Sequence, residues 1–431
     1  MSDHFIPYPV RPAGSQIGIW ISESLGFAPA GSARARGGGA VGWRAITNDR
    51  PLRVELLDWR EASERIDQWR DLTRRAMEPN VFLDPGFALT AAQHFPPARR
   101  PLFLMVSDAS RAVDSERLIG VCALDAADGF RGLTRGWLPK QSALGTPLLD
   151  KTRGVEALDL MLAWFEREQP KVAGLLLPSL ASDGPTATLM RERAGARGLD
   201  LQVIDMGERA VLFGGVDVEA MLHKAMSSKH IKELRRQRRR LGELGELTYV
   251  SNQAPERVRM AVESFLTLEA SGWKGGRGTA LLSDPSTAAF VRTMTRRLSR
   301  EGKCRVEALE LDGVPVAMGI VLSFGSSSFL WKIAYDESKA PYSPGVQFTI
   351  EFTRRQVQMN AIDSTDSCAI PDHPMIDRLW PDKLPIADIA FAVSGARLAS
   401  FGKAFRKELM RRRFREYAKR AFYAATGRRR V

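Results

Sequence analysis

The sequence contains little cysteine, little histidine and no long apolar run. The shortage of cysteine and the lack of a long apolar run each argue against a class of protein. Three cysteines, Cys122, Cys304 and Cys368, are scattered through 431 residues. Neither a disulfide framework nor a metal site follows from them, and their number is typical of a reducing compartment. The most apolar segment, VPVAMGIVLSF, has eleven residues, whereas a membrane-spanning helix needs about 20. Because no secretory signal pattern precedes it, the sequence predicts a cytoplasmic protein.

Negative charge is also scarce, but the imbalance is local. The chain has 63 Lys and Arg against 50 Asp and Glu, a net charge of +13. Residues 401–431 carry twelve of these cations and only two glutamates, so the tail supplies ten of the thirteen net charges. The rest of the chain is nearly neutral, which argues against a body that binds nucleic acid and predicts no DNA partner.

In this C-terminal tail, apolar and basic residues are interleaved. The pattern predicts a basic amphipathic helix that lies on an anionic membrane, at the inner membrane face. Arginine clusters also suit a cyclic dinucleotide, an RNA or a protein partner, and a tail without a ligand is a further alternative. The apolar residues of the pattern are Phe401, Phe405, Met410, Phe414 and Phe422.

The order of predicted elements indicates an α+β fold built from two similar halves. Residues 1–50 are rich in Gly, Ala, Ser and Arg without a period, which predicts a mobile leader. Helical and strand-like segments then alternate through residues 51–213 and again through 214–400. Three strands joined in part by Asp312-Gly313 form a meander in the second half. Ser283 is the expected N-cap of the helix before that meander. The segment 346–353 fits either a strand or a helix.

Three stretches of the second half resemble one family. FLTLEASGWKGGRGTALL, FLWKIAYDESKAPYSPG and DSCAIPDHPMIDRLW resemble the BioF2-like, or CelD/BcsL-like, acetyltransferases of the GNAT superfamily. The resemblance implies two tandem GNAT-like domains, each a mixed, mostly antiparallel sheet flanked by helices. The N-terminal domain, where residues 142–161 resemble a decayed phosphate loop, would be a structural copy. The related FemAB-like fold belongs to aminoacyl transferases that build peptidoglycan bridges.

The resemblance also gives the Pro344-Gly345 dipeptide a function. A Pro-Gly pair is by itself an ordinary turn, but in a GNAT domain the corresponding loop and helix N-terminus bind the pyrophosphate of acetyl-CoA or another acyl-CoA. The segment 346–359 would then be helical. Only one glycine of the superfamily's Q/R-x-x-G-x-G/A pattern is present. The residues implied in cofactor binding are Tyr342, Ser343, Pro344, Gly345, Val346 and Gln347.

Acyl transfer from a thioester requires a base for the acceptor and a proton for the leaving thiolate, but neither a metal nor an enzyme nucleophile. Glu269 is the candidate base, with a helix cap or a salt bridge to Lys274 as the alternative. Tyr335 is the candidate acid, or a core aromatic. Asp372 and His373 form a reactive-looking pair, or a simple turn.

Further residues of the three stretches are candidates for binding the acceptor, and a basic helix is another. Residues 228–241 carry seven Lys and Arg on a wide face, suited to a lipid carrier phosphate, a nucleotide-sugar or the 3′-phosphate of coenzyme A, or simply to solvent. Trp331 and Trp380 would form a sugar-stacking wall or belong to the core. The predicted substrate-binding residues are Trp273, Lys274, Trp331, Asp336, Asp366, Arg235 and Arg239.

The resemblance predicts an acyl-CoA-dependent N- or O-acyltransferase that modifies a precursor of an exopolysaccharide, cellulose or another envelope polysaccharide. Two alternatives stay open: an aminoacyl-tRNA-dependent transferase, and a non-catalytic effector whose tail binds a nucleotide or a membrane.

Overall fold

The computed structural model describes residues 41–47, 50–96, 100–108, 116–127 and 129–426, and the statements below concern these residues. Residues 1–40 of the expected leader lie outside them. Residues 41–47, assigned above to the leader, instead form a strand that pairs antiparallel with residues 50–57. The leader therefore ends earlier than the composition indicated.

The first half contains both helices and strands, as the sequence predicts. The helices are α1 Trp59–Ser63, α2 Ile66–Arg75, α3 Pro85–His94, α4 Gly154–Glu168 and α5 Pro185–Arg197. The strands are β1 Val41–Thr47, β2 Arg50–Leu57, β3 Pro101–Asp108, β4 Arg117–Asp125, β5 Gly132–Arg135, β6 Leu148–Leu149, β7 Val172–Ala181 and β8 Leu201–Phe213.

The second half also contains both helices and strands. Its helices are α6 Val218–Ala225, α7 Ser228–Gly242, α8 Pro255–Ser271, α9 Trp273–Gly276, α10 Pro285–Arg300, α11 Pro344–Gln356, α12 Ile376–Leu379 and α13 Leu398–Thr426. Its strands are β9 Leu247–Asn252, β10 Cys304–Leu311, β11 Val314–Phe324, β12 Ser327–Tyr335, β13 Ser364–Asp366 and β14 Lys383–Ala392.

Local chemistry accounts for most of these boundaries. Asp312 and Gly313 both have positive φ, 50° and 77°, as the tight turn between β10 and β11 requires. The N-cap of α10 is Asp284 rather than Ser283, because its carboxylate accepts from the N–H groups of Ser286 and Thr287. The fold class is α+β, as the sequence predicts.

One strand crosses between the halves. The order in the larger sheet is β5-β7-β14-β8-β13-β12-β11-β10-β9, and a second sheet runs β1-β2-β3-β4-β6. Strand β14, which the sequence analysis assigned to the C-terminal domain, lies antiparallel between β7 and β8 of the first half. The C-terminal part of the chain therefore completes the N-terminal sheet.

The two halves also share an aromatic core. Phe82 lies edge-on to Phe329 at 5.5 Å, and Phe87 lies edge-on to Phe290 at 5.1 Å between ring centroids. Each pair joins one ring from either half, and all four rings are buried. Since apolar burial stabilises both halves at once, neither half has a complete core by itself.

Helix α13 is the predicted basic tail, and it begins three residues earlier than expected. Phe401 is buried against Gly174 and stacks on Phe405 at 6.0 Å. Arg412 then binds Glu408 and Asp388 at 2.7 Å each. The predicted single apolar face is wrong: the first two phenylalanines dock on the body, while Met410, Phe414 and Tyr417 lie on a different, exposed stripe. Among the described helices, none combines the length and apolar composition that crossing a bilayer demands.

Candidate functional site

Strands β12 and β13 separate and open a cleft. They pair in parallel only from Ser327–Ser364 to Phe329–Asp366. Beyond these pairs, residues 330–335 of β12 and residues 367–369 and 373–376 line a cavity of about 550 Å³. The start of α11 and the end of α8 close its two ends. A concave site of this volume can hold a small-molecule ligand.

Helix α11 begins at the cleft, which resolves the ambiguity of segment 346–353 in favour of a helix. Pro344 takes its first position, where the missing N–H costs nothing, and follows Ser343 in the left-handed region at φ 52°. Gly345 takes the second position, whose N–H has no acceptor within the helix. A Cβ on Gly345 would lie 3.1 Å from the Tyr335 ring. A larger residue at this position would therefore push against Tyr335 and narrow this corner of the cleft.

The predicted phosphate loop is less open than expected. The N–H groups of Val346 and Gln347 both donate to the Ser343 carbonyl at 3.0 Å, and the Ser343 N–H donates to Ala340 at 2.9 Å. The Gln347 side chain is buried and donates to the Leu234 carbonyl at 2.9 Å. Tyr342 lies outside the cleft lining, beneath the guanidinium of Arg240. Of the six residues, Ser343, Pro344, Gly345 and Val346 line the cleft.

Glu269 is buried and lines the cleft, and each of its two carboxylate oxygens accepts one hydrogen bond. Its Oε1 accepts from Lys274 Nζ at 2.7 Å and its Oε2 from the Leu281 N–H at 2.8 Å. The salt bridge considered above is therefore present. Because a carboxylate oxygen has two lone pairs, each oxygen keeps capacity for another proton donor. Tyr335, 37% exposed, faces the same cleft from β12.

His373 lines the cleft, but its acidic neighbour is not the one expected. Its Nδ1 accepts from the N–H groups of Met375 at 3.3 Å and Ile376 at 3.4 Å, at the start of α12. Burial holds the pKa of His373 below its usual value, and the nearby Asp377 opposes that shift. Asp372 is exposed, outside the cleft lining, with φ 58°. The expected Asp372–His373 pair is therefore wrong.

The three tryptophans that the sequence analysis singled out lie in different environments. Trp331 is 3% exposed, lines the cleft, and donates from its indole to the Gln141 carbonyl at 2.7 Å. Trp273 is 44% exposed at the cleft mouth, with Arg277 over its ring at 5.0 Å. Trp380 is fully buried and bonded to Thr353. Trp380 thus belongs to the core, whereas Trp273 and Trp331 face the cleft.

Four of the predicted acceptor-binding groups are engaged in contacts within the protein. Asp336 caps the turn after β12 by accepting from Ser338. Asp366 is buried in an ion pair with Arg209. On α7, Arg235 is paired with Glu219 at 3.3 Å and Arg239 with Glu243 at 3.6 Å. The lining of the cleft includes none of these four side chains.

Lys332 is a site residue that the sequence analysis did not identify. It projects from β12 beside Trp331, its Nζ 5.3 Å from the ring centroid. Burial lowers its pKa, and the neighbouring Lys274 lowers it further. The available signal was a lysine within an apolar strand. Cys368 lies opposite, and burial raises the pKa of its thiol, which makes the thiol a weak nucleophile.

The predicted decayed loop of the first half is closely packed at the start of α4. Gly154 there is buried against Met77, and Arg153 is paired with Asp108 at 2.6 Å and Glu156 at 2.7 Å. Among the described residues, no cluster of His, Cys, Asp or Glu suited to a metal ion is found.

Comparison with known families identifies the central segment of the chain. Residues 228–368 match the family model described as an acetyltransferase (GNAT) domain. This segment contains Glu269, Lys332, Tyr335 and Gly345, so it includes most of the cleft. The segment is similar to acyltransferase domains of the GNAT type. No curated protein sequence matches the chain.

Solved structures match the chain at very low sequence identity. The C-terminal domain (DUF2156) of a protein assigned as a lysylphosphatidylglycerol synthetase of Agrobacterium fabrum has 12% identity and a TM-score of 0.46, over 79% of this chain and 96% of that one. FemX has 10% identity and a TM-score of 0.48, over 76% of this chain and 94% of that one. A probable N-acyltransferase of Enterococcus faecalis has 11% identity and a TM-score of 0.28, over 81% of this chain and 74% of that one. Likenesses of this size give no information about substrate.

Proposed function

We propose that this chain transfers an acyl group from acetyl-CoA, or another acyl-CoA, to an amine or hydroxyl of an acceptor. The observation that carries the proposal is the cleft itself. Inside the segment that matches an acyltransferase domain, two strands separate beside a helix that begins with Pro344-Gly345. The start of α11 places a partial positive charge at the cleft, which favours the phosphates of coenzyme A.

The side chains in the cleft suit a direct transfer. The acceptor nitrogen or oxygen forms a bond to the thioester carbon, the carbon–sulfur bond breaks, and the acceptor proton passes to Glu269. The leaving thiolate takes its proton from Tyr335, which the released acceptor proton replaces through solvent. Both groups line the cleft, and general acid–base help of this kind contributes about 10²–10⁴ in rate.

The acceptor in this proposal is a sugar unit of an exopolysaccharide, cellulose or another envelope polysaccharide precursor, as in the BioF2-like and CelD/BcsL-like enzymes that the sequence resembles. Trp273 and Trp331 support this choice, because both rings face the cleft and one is accessible at its mouth. Aromatic rings present a flat apolar surface with a polar edge, which suits a sugar ring.

We place the protein at the inner membrane surface through the exposed part of α13. Met410, Phe414 and Tyr417 are 62–75% exposed on one stripe, and Arg411, Arg413 and Arg415 surround them. Apolar side chains bordered by arginines suit the headgroup region of an anionic membrane.

The test is turnover with purified protein. Release of free thiol from acetyl-CoA and longer acyl-CoAs is followed with and without glucosamine and short cello-oligosaccharides as acceptors. We expect acceptor-dependent thiol release. A flat response with every acyl-CoA contradicts the proposal. Activity that requires a charged tRNA and disappears with ribonuclease assigns the protein to aminoacyl transfer, and ligand binding by α13 without turnover assigns it a non-catalytic role.

A further inference from the structure

A second chamber adjoins the cleft. It has a volume of about 360 Å³ and shares the side chains of Trp331, Lys332, Cys368 and Ala369 with the cleft. Residues 140–143, 179, 205 and 207–209 of the first half also line it. A ligand in this chamber therefore lies next to the cleft, separated from it by one layer of side chains, and contacts both halves of the protein.

The wall of the chamber contains buried donors without acceptors. Arg209 is 5% exposed, and its Nη groups bind Asp366 and the Ala143 carbonyl, but its Nε has no hydrogen-bond partner among the described residues. The hydroxyl of Ser142 is also buried without a partner in that part of the chain. Leaving a buried polar group unpaired costs about 1–3 kcal/mol, so such groups are rare outside binding sites.

Positive charge exceeds negative charge around these donors. Lys140 and Lys332 both line the chamber. Of its two carboxylates, Asp205 is bound by Arg412 of α13, and Glu208 is exposed at the rim. Burial lowers the Lys332 pKa most, followed by Lys274; Cys368 and Glu269 oppose the shift, and Lys140 lowers the pKa least. An anion among these groups would relieve the repulsion between the cations.

The backbone of the chamber is also held in unusual conformations. Ser179 at φ 55°, Asp205 at φ 49° and Cys368 at φ 52° all line it, in a region that non-glycine residues rarely adopt. Such residues cluster at binding and active sites, because surrounding structure must hold them there.

We infer that this chamber binds an anionic group, a phosphate or a carboxylate, of the acceptor molecule. Lys140, Ser142, Arg209 and Lys332 hold the anion, and the acceptor's amine or hydroxyl reaches the cleft past the wall that the two cavities share. The role of the ligand as an acceptor rests on the proposed function. The preference of the chamber for an anion does not. The chamber should bind charged molecules more tightly than neutral molecules of the same shape.

The experiment uses three sugars that differ only at one carbon: glucose, glucose 6-phosphate and glucuronate. Each is titrated into the full-length protein by calorimetry, and acetyl-CoA is titrated separately. We expect one charged sugar to bind at least about tenfold more tightly than glucose, equivalent to 1.4 kcal/mol. Tighter binding of glucose 6-phosphate assigns the anion as a phosphate, and tighter binding of glucuronate assigns it as a carboxylate.

Two substitutions locate the binding. Lys140→Ala with Ser142→Ala should weaken the charged sugar at least about tenfold and leave acetyl-CoA binding unchanged. The matched control is Lys151→Ala with Ser264→Ala, two exposed residues outside both cavities, and it should bind as the wild type does.

Equal affinity for the three sugars, no binding of any of them, or no effect of the chamber substitutions overturns the inference. Failure of acetyl-CoA to bind, with the charged sugar still bound, instead contradicts the proposed function and leaves the anion site standing. The two failures are therefore distinguishable.

Discussion

At the scale of single residues, Glu269 is the group on which the proposed chemistry depends most. We expect Glu269→Gln to keep the bond from the Leu281 N–H, because glutamine also has an oxygen, but to lose the ability to take a proton. The kcat should fall by about 100-fold or more, with the affinity for acetyl-CoA within about twofold. Thiol-release kinetics and calorimetry measure the two quantities.

The matched control is Glu263→Gln on the same helix, where Glu263 forms an exposed ion pair with Arg292. Such pairs contribute about 0–1 kcal/mol, so this variant should behave as the wild type does. If Glu269→Gln retains a kcat close to that of Glu263→Gln, Glu269 is not the base.

Sequence reasoning found residue types and the local Glu269–Lys274 pair, but not partners that are distant in sequence. Glu269, Lys274, Tyr335 and Gly345 were predicted from one-dimensional motifs and all line the cleft. Asp366 could not be predicted to be engaged, since its partner Arg209 is 157 residues away in sequence. Lys332 was missed for the converse reason, because only the fold shows that its strand faces a cavity.

At the scale of secondary structure, His373 gives a pH-dependent prediction. Its Nδ1 accepts N–H groups at the start of α12, and a protonated imidazole cannot accept there. Because burial lowers the folded-state pKa of His373, the unfolded chain binds this proton at a higher pH than the folded protein does. The free energy of unfolding should therefore fall as pH decreases from about 6.5, the ordinary histidine value.

Urea unfolding at pH 7.5 and at pH 5.5 measures this effect in the wild type and in His373→Asn. Asparagine keeps a side-chain oxygen acceptor but does not titrate. The variant should therefore lose less stability than the wild type at the lower pH, measured as the free energy of unfolding. An identical loss in both proteins would show that His373 does not titrate as its burial requires.

Periodicity predicted most helices and strands but could not choose between two periods over residues 346–353. The fold decides, since Phe348 and Phe352 are stacked at 6.1 Å between ring centroids, as neighbours one helical turn apart. Strand β14 illustrates the opposite limit. Its insertion between β7 and β8 depends on pairings across about 200 residues, which no local pattern encodes.

At the scale of the whole molecule, the exposed end of α13 predicts membrane association. The full-length protein should cosediment with phosphatidylcholine vesicles that contain phosphatidylglycerol, and not with phosphatidylcholine alone. Phe414→Ser with Tyr417→Ser should weaken this binding about tenfold or more, because burying one large apolar side chain contributes about 1.5–3 kcal/mol.

Val155→Ser is the matched control, since Val155 is 48% exposed on α4, away from α13. Turnover in solution should be unchanged in both variants, because the two aromatic side chains lie outside the cleft lining. Equal sedimentation of all three proteins, or none with anionic vesicles, would contradict a membrane role for α13.

The central claim is that the corner beside Gly345 receives the acyl-CoA, and calorimetric titration of acetyl-CoA tests it most directly. Gly345→Trp fills that corner, whereas Gly195→Trp places the same side chain on α5 where no atom lies within 4 Å of the added Cβ. We predict that the wild type and Gly195→Trp bind equally, and that Gly345→Trp loses at least about tenfold in affinity, or 1.4 kcal/mol. Undiminished binding by Gly345→Trp, or no binding by the wild type, would contradict the claim.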